Sequence, residues 1–195
     1  MRRLIIATHN RHKTEEFRTI LQDLIPEICD LTEFPDIPIP EENGDSFLEN
    51  ASIKALHAAR LLPGQVVLAD DSGLEVDALG GAPGIFSARY AGPEASDADN
   101  REKLLRSMDG KTNRAASFCC VLALAEGDHI RSHFEGRSFG NILPEMRGDG
   151  GFGYDPLFVP SGHTQTFAEL ASAVKHQISH RGKAIEAFCE TLHLT

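Results

Sequence analysis

Ala115-Ala116-Ser117-Phe118-Cys119-Cys120-Val121-Leu122-Ala123-Leu124-Ala125, the turn pair Gly127-Asp128 and Ile130-Arg131-Ser132-His133-Phe134-Glu135-Gly136-Arg137-Ser138 together decide the fold class. The first run is apolar and strand-like, the last alternates, and the short turn between them predicts a hairpin. Hairpin strands pair antiparallel, which argues against an all-parallel sheet. Upstream, Leu4–Ala7 reads as a short buried strand, followed by the polar turn Thr8-His9-Asn10-Arg11-His12-Lys13. Phe17, Ile20, Leu21 and Leu24 then recur on one helical face until Pro26. A Pro-rich extended stretch, Phe34 to Pro40, leads into Glu41-Glu42-Asn43-Gly44. Ser46 and Glu49 have capping-box spacing and open a helix through about Leu61, broken by Pro63-Gly64. Val66–Ala69 reads as a buried strand ending on Asp70-Asp71, Gly80–Gly84 as loop, and Asp97–Met108 as a helix. Beyond the hairpin lie a glycine cluster (Gly148 to Gly153), a strand over Leu157–Val159 and a last helix from about Ser179 to Leu192. Strands and helices are interspersed, so the expected class is a mixed α/β domain.

The 195 residues carry 19 Lys+Arg against 29 Asp+Glu, a formal net charge of −10, with 41% apolar residues. A chain of this length buries roughly 70% of its unfolded surface, enough for one core. A single domain over residues 1–195 is therefore expected. The apolar fraction excludes a disordered chain, and 10 Pro with 17 Gly are too few for low complexity. The acidic balance argues against nucleic-acid and membrane-surface partners, which need basic patches. The first residues lack a signal-peptide pattern, and no window approaches the ~18 apolar residues of a spanning helix. Cys29, Cys119, Cys120 and Cys189 form no CxxC pair, so zinc is not expected and thiols in a reducing cytoplasm are.

Four places could carry chemistry. The Thr8–Lys13 turn leads into a helix start, where backbone N–H groups and the positive dipole end favour an anion. Lys13 reads there as a phosphate contact, or as part of a solvated turn. Glu41, Glu42, Asp70 and Asp71 form an oxygen-rich set of the kind that holds Mg²⁺ together with phosphates, although each pair is equally readable as a loop or turn. In Gly151-Phe152-Gly153-Tyr154-Asp155-Pro156 the flanking glycines leave the Phe152 ring open for stacking on a flat base, with Asp155 as an acceptor. The plain alternative is a core Phe beside a turn. Lys175 and Ser179-His180-Arg181 lie at a helix start, with Ser179 as N-cap and the two cations candidates for carbonyl oxygens or phosphate.

These segments, in order along the chain, resemble the inosine/xanthosine triphosphate pyrophosphatase family. The resemblance is carried by Thr8-x-Asn10-x-x-Lys13, Glu42-x-Gly44, Glu49-Asn50-Ala51-x-x-Lys54-Ala55 and Ala69-Asp70-Asp71-Ser72-Gly73-Leu74. It continues through Ala78 to Ile85, Ser87-Ala88-Arg89-Tyr90, Gly150 to Pro156 and Lys175-x-x-Ile178-Ser179-His180-Arg181. It implies a two-lobed mixed-sheet α/β fold with a central nucleotide-binding cleft between the lobes, and a homodimer. It also implies Mg²⁺-dependent hydrolysis of ITP, dITP and XTP to the monophosphate and pyrophosphate, which cleanses the nucleotide pool. The alternative is a pyrophosphatase acting on another modified nucleotide. By the same resemblance the turn residues Thr8, His9, Asn10, Arg11, His12 and Lys13 hold the triphosphate, with Lys54 nearby. Glu42 and Asp71 serve the metal, and Asp71 takes the proton of the attacking water. Ser72, Phe152, Gly153, Tyr154, Asp155, Lys175, His180 and Arg181 frame the purine.

Overall fold

A computed structural model describes residues 1–192. Its elements run β1 (Arg3–Ile6), α1 (Arg11–Leu21), β2 (Glu27–Asp30), α2 (Phe47–Leu61), β3 (Val66–Val76), α3 (Asp97–Ser107), β4 (Ala115–Glu126), β5 (His129–Ile142), β6 (Phe158–Pro160), α4 (Ser172–Ile178) and α5 (His180–Leu192), with short 3₁₀ turns between. The strands form one six-stranded sheet in the order β2-β1-β3-β4-β5-β6. β1 is parallel to β2, with Leu4 opposite Ile28, and parallel to β3, with Ile5 opposite Val67. β6 is antiparallel to β5, with Asn141 opposite Val159. The sheet is therefore mixed, as the hairpin of β4 and β5 requires.

The chain divides into two compact units. The first takes Met1–Asp71, Cys120–Gly136 and the segment beginning at Arg181; the second takes Ser72–Cys119 and Arg137–His180. Leu4, Ile6, Phe17, Leu21, Leu68, Leu122, Ile185 and Phe188 build the core of the first. Leu74, Val76, Leu104, Met108, Phe118, Leu157, Phe158 and Phe167 build that of the second.

Local chemistry accounts for most element ends. Asn10 caps α1 by accepting the His12 and Lys13 N–H groups, and Ser46 caps α2 by accepting the Glu49 N–H at 3.2 Å. The Glu49 carboxylate accepts the Asp45 N–H at 2.7 Å, one residue before the position that a capping box would use. Two boundaries differ from the sequence expectation, and two elements are additional to it. α1 stops at Leu21, which leaves Leu24 exposed beyond it. β3 does not end at Ala69 but runs on through Asp70 and Asp71 to Val76, sustained by its β4 neighbour after β1 has ended. β2 is an edge strand only four residues long, too short to show a period. The expected last helix is α5, and a further short helix, α4, precedes it, so Ser179 also closes α4 by donating its N–H to the Lys175 carbonyl at 2.8 Å.

Candidate functional site

In the first unit the alternation of a strand separates two neighbouring acids. Successive residues of β3 point to opposite faces, so Asp70 and Asp71 meet different helices. Asp70 receives the Lys13 ammonium of α1 on Oδ1. On Oδ2 it receives Arg181 Nε and the Cys120 thiol, each at 3.0 Å. Arg181 donates in turn to Glu16 Oε2 at 2.5 Å. Burial opposes ionisation of Asp70, but Arg181 and Lys13 outweigh it and hold the carboxyl well below its usual range.

Asp71 accepts Lys54 Nζ on Oδ1 at 2.6 Å, and the same ammonium reaches Glu42 Oε1 at 3.2 Å. Asp71 Oδ2 is buried and has no hydrogen-bond partner. Burial pushes the Asp71 carboxyl above its ordinary value, Lys54 pulls it back, and Glu42 adds repulsion. Lys54 is held above the ordinary lysine value because Asp71 and Glu42 outweigh its burial. The Glu42 loop docks on α2: the Gly44 N–H donates to the buried Asn50 Oδ1 at 2.9 Å. A Cβ at Gly44 would stand 2.6 Å from Glu49 Cβ, so only glycine fits there.

At the α1 turn, Thr8 Oγ1 accepts the Asn10 N–H at 3.1 Å, and Asn10 Oδ1 accepts His12 N–H at 3.0 Å and Lys13 N–H at 3.3 Å. Thr8 and Asn10 thus fix the turn from which Lys13 rises. His9, Arg11 and His12 stand exposed on it.

Could this set hold a cation? Four carboxylates (Glu16, Glu42, Asp70, Asp71) meet three cations (Lys13, Lys54, Arg181), which leaves a local charge of −1. The unpaired Asp71 Oδ2 supplies an oxygen with nothing bound to it, and Glu42 lies on the same lysine. Among the described residues no group of three His, Cys, Asp or Glu could close a site alone. Mg²⁺ takes one or two carboxylates from a protein and leaves its other positions to phosphate and water, and the bare Asp71 Oδ2 beside Glu42 offers a donor set of that kind.

The second unit gathers the base-framing candidates. Asp155, 4% exposed, accepts Lys175 Nζ at 2.8 Å and the Phe152 N–H at 2.9 Å, both on Oδ2. Lys175 Nζ stands 5.0 Å from the Phe152 ring centroid, within cation–π range, so one face of that ring looks toward an ammonium. A Cβ at Gly151 would collide with Asp155 Oδ2, and its φ is +71°, so glycine is required twice over. His180 is buried and stacked on Phe118, with centroids 4.7 Å apart and planes 12° off parallel. Ser72, next to Asp71 in β3, is half-buried.

Tyr154 belongs to the core. It is 4% exposed and donates its hydroxyl to the Ser87 carbonyl at 2.8 Å, a supporting position for the loop. Arg181 is 2% exposed with its guanidinium on Glu16 and Asp70, so in the first unit it braces the acids. Four residues that sequence reasoning passed over bear on the two sets: Glu16, Cys120, Asp97 and Arg101. Glu16 lies one turn from Lys13 on the same helix, the only local hint among them. The others act on residues dozens of positions away, which no spacing rule reveals.

Residues 4–191 match the Ham1 family. The dITP/XTP pyrophosphatase of Syntrophobacter fumaroxidans is 53% identical over 93% of this chain and 78% of its own length. That of Desulforamulus reducens is 46% identical over 98% of this chain and 96% of its own. Among solved structures, a HAM1 protein from Coxiella burnetii aligns over the whole of both chains with a TM-score of 0.89 at 42% identity. The Staphylococcus aureus Ham1 protein gives 0.87 at 41% identity, over 98% of each chain. With its sequence matched end to end and its fold shared, this chain belongs to the Ham1 family.

Proposed function

We propose that this protein hydrolyses the purine nucleoside triphosphates ITP, dITP and XTP to the monophosphate and pyrophosphate. The dITP/XTP pyrophosphatases among its relatives support this reading. The observation that carries it is the buried, unpartnered Oδ2 of Asp71 beside Lys54 and Glu42. Water attacks the α-phosphorus, a P–O bond forms, the bond to the pyrophosphate oxygen breaks, and the water proton passes to Asp71. Its buried Oδ2, which has no other hydrogen-bond partner, is the oxygen that accepts that proton. Lys13 and Lys54 bind and neutralise the triphosphate oxygens. Glu42 and Asp71 would hold Mg²⁺, which would add further neutralisation of phosphate charge.

Phe152 stacks on the base, with Asp155 and Lys175 at its edge. Hypoxanthine and xanthine carry a keto oxygen where adenine carries an amino group, so a donor such as His180 is satisfied by the first two and left unpaired by the third. A site built on such pairing discriminates by up to ~10⁴–10⁵. The test is pyrophosphate release from a nucleotide panel, with Mg²⁺ and with a chelator. ITP, dITP and XTP should lead and the chelator should stop turnover. Turnover of dTTP or dUTP above ITP would overturn the substrate assignment.

We place the enzyme in the cytoplasm, a reading supported by its four cysteines, none of them in a disulfide. No helix of the described residues is long and apolar enough to cross a membrane. A homodimer accords with the resemblance and with large apolar side chains such as Phe86 and Phe139, which are 54% and 62% exposed. Sedimentation at micromolar concentration decides it, and a monomer there would refute the dimer.

A further inference from the structure

Gly153 follows the ring proposed to meet the base, and both of its backbone groups are held by one helix. Its N–H donates to Asp97 Oδ2 at 2.6 Å, and its carbonyl accepts Arg101 Nη1 at 2.7 Å. Asp97 and Arg101 are one helical turn apart, so α3 presents an acceptor and a donor side by side. The helix itself is anchored independently. Ser96 and Asp99 form a capping box at its start, and Leu104 and Met108 are buried at its end. Asn100 ties it to the preceding turn, donating to the Ala88 carbonyl at 3.0 Å and accepting the Ala91 N–H at 2.7 Å.

Gly153 needs such a hold. Its φ is +58° and nothing lies within 4 Å of where a Cβ would be, so packing does not fix it. Glycine has the widest backbone freedom of any residue. Its N–H belongs to the peptide plane shared with Phe152, and its carbonyl to the plane shared with Tyr154. A bond to each fixes both planes, whereas one alone would let the other turn. Arg101 also keeps its Nε buried and unpartnered, a cost borne by a side chain whose guanidinium is spent on this carbonyl.

We propose that Asp97 and Arg101 are positioning residues for purine recognition: by clamping Gly153 they fix the Phe152 ring that stacks on the base. Neither touches the substrate. The inference rests on the reading of Phe152 as the base platform, so its test separates the two. Steady-state kinetics on ITP, with inorganic tripolyphosphate as a competing inhibitor, compare the native enzyme with Asp97→Ala, Asp97→Asn, Arg101→Met and Phe152→Ala. Losing one hydrogen bond of the clamp should raise KM for ITP by about three- to tenfold in Asp97→Ala and Arg101→Met. Asp97→Asn keeps an acceptor oxygen and should restore a near-native KM. The tripolyphosphate inhibition constant should stay unchanged throughout.

A native KM in Asp97→Ala would overturn the clamp, as would KM and the tripolyphosphate constant rising together. A native KM in Phe152→Ala would instead overturn the base platform. Because the chain has no Trp, Phe152→Trp creates a single fluorescent reporter. Adding Asp97→Ala to it should lower the indole anisotropy without substrate present, and an unchanged anisotropy would refute the clamp even in an inactive protein.

Discussion

The carboxylate of Asp70 receives donors from Lys13, Cys120 and Arg181, whereas Asp71 receives Lys54 on one oxygen and keeps the other buried and bare. Their stabilities should respond oppositely to amidation. Asp70 has its folded carboxyl far below the ordinary value, so its charge stabilises the fold at neutral pH. Asp70→Asn leaves Arg181 and Lys13 short of a counter-charge and should destabilise by about 3–5 kcal/mol, read from urea unfolding. Asp71 has its carboxyl raised, so its ionised form is a net cost to folding at neutral pH. Asp71→Asn should unfold at a denaturant concentration no lower than the native protein, while losing about 10²–10⁴-fold in turnover. A less stable but active Asp71→Asn enzyme would contradict both halves of this argument.

At the scale of elements, the caps make the sharpest statements. Removing the Ser46 hydroxyl by Ser46→Ala should cost about 0.5–2 kcal/mol, because the Glu49 N–H at the start of α2 loses its acceptor. The loss bears on Lys54 too, which rides on α2, so thermal melting and the ITP KM should both move. Asp30 caps the 3₁₀ turn Leu31–Glu33. Burial opposes its ionisation, but the hydroxyls of Thr32 and Thr14, the Thr32 amide and Arg18 bring the carboxyl below its ordinary value. Its stabilisation is therefore complete above the unfolded value and lost as pH falls through the folded one. The gap in unfolding free energy between the native protein and Asp30→Asn should narrow from about pH 6 to about pH 3; a widening gap would show the sign to be wrong.

Across the whole molecule, legibility in the sequence followed distance along the chain. Ser46, Pro63-Gly64 and the alternation of Ile130–Ser138 are local signals, and α2 and the β4–β5 hairpin were readable from them. α4 has only seven residues and no strong period, so the helix that carries Lys175 was not readable, although its nearness to the start of α5 was. The residue types of the site were readable as motifs, but their commitments were not. Nothing near Arg181 announces Glu16, 165 positions earlier, and nothing near Tyr154 announces the Ser87 carbonyl. The net charge of −10 was similarly silent on a site where acids and cations nearly balance.

The first unit is completed by α5, whose Ala184, Ile185 and Phe188 are fully buried in its core. A chain ending at Ser179 should show no cooperative melt by circular dichroism, since it loses that packing and the Arg181 brace together. A native-like transition would disprove the dependence.

That threading has a consequence during biosynthesis. Asp70 lies 111 residues ahead of Arg181, so a ribosome adding about 5–20 residues per second exposes the acid for roughly 5–20 seconds before its brace is made. A nascent chain thus carries this carboxylate without its guanidinium partner until the last helix is made, and a chain terminated early never acquires it.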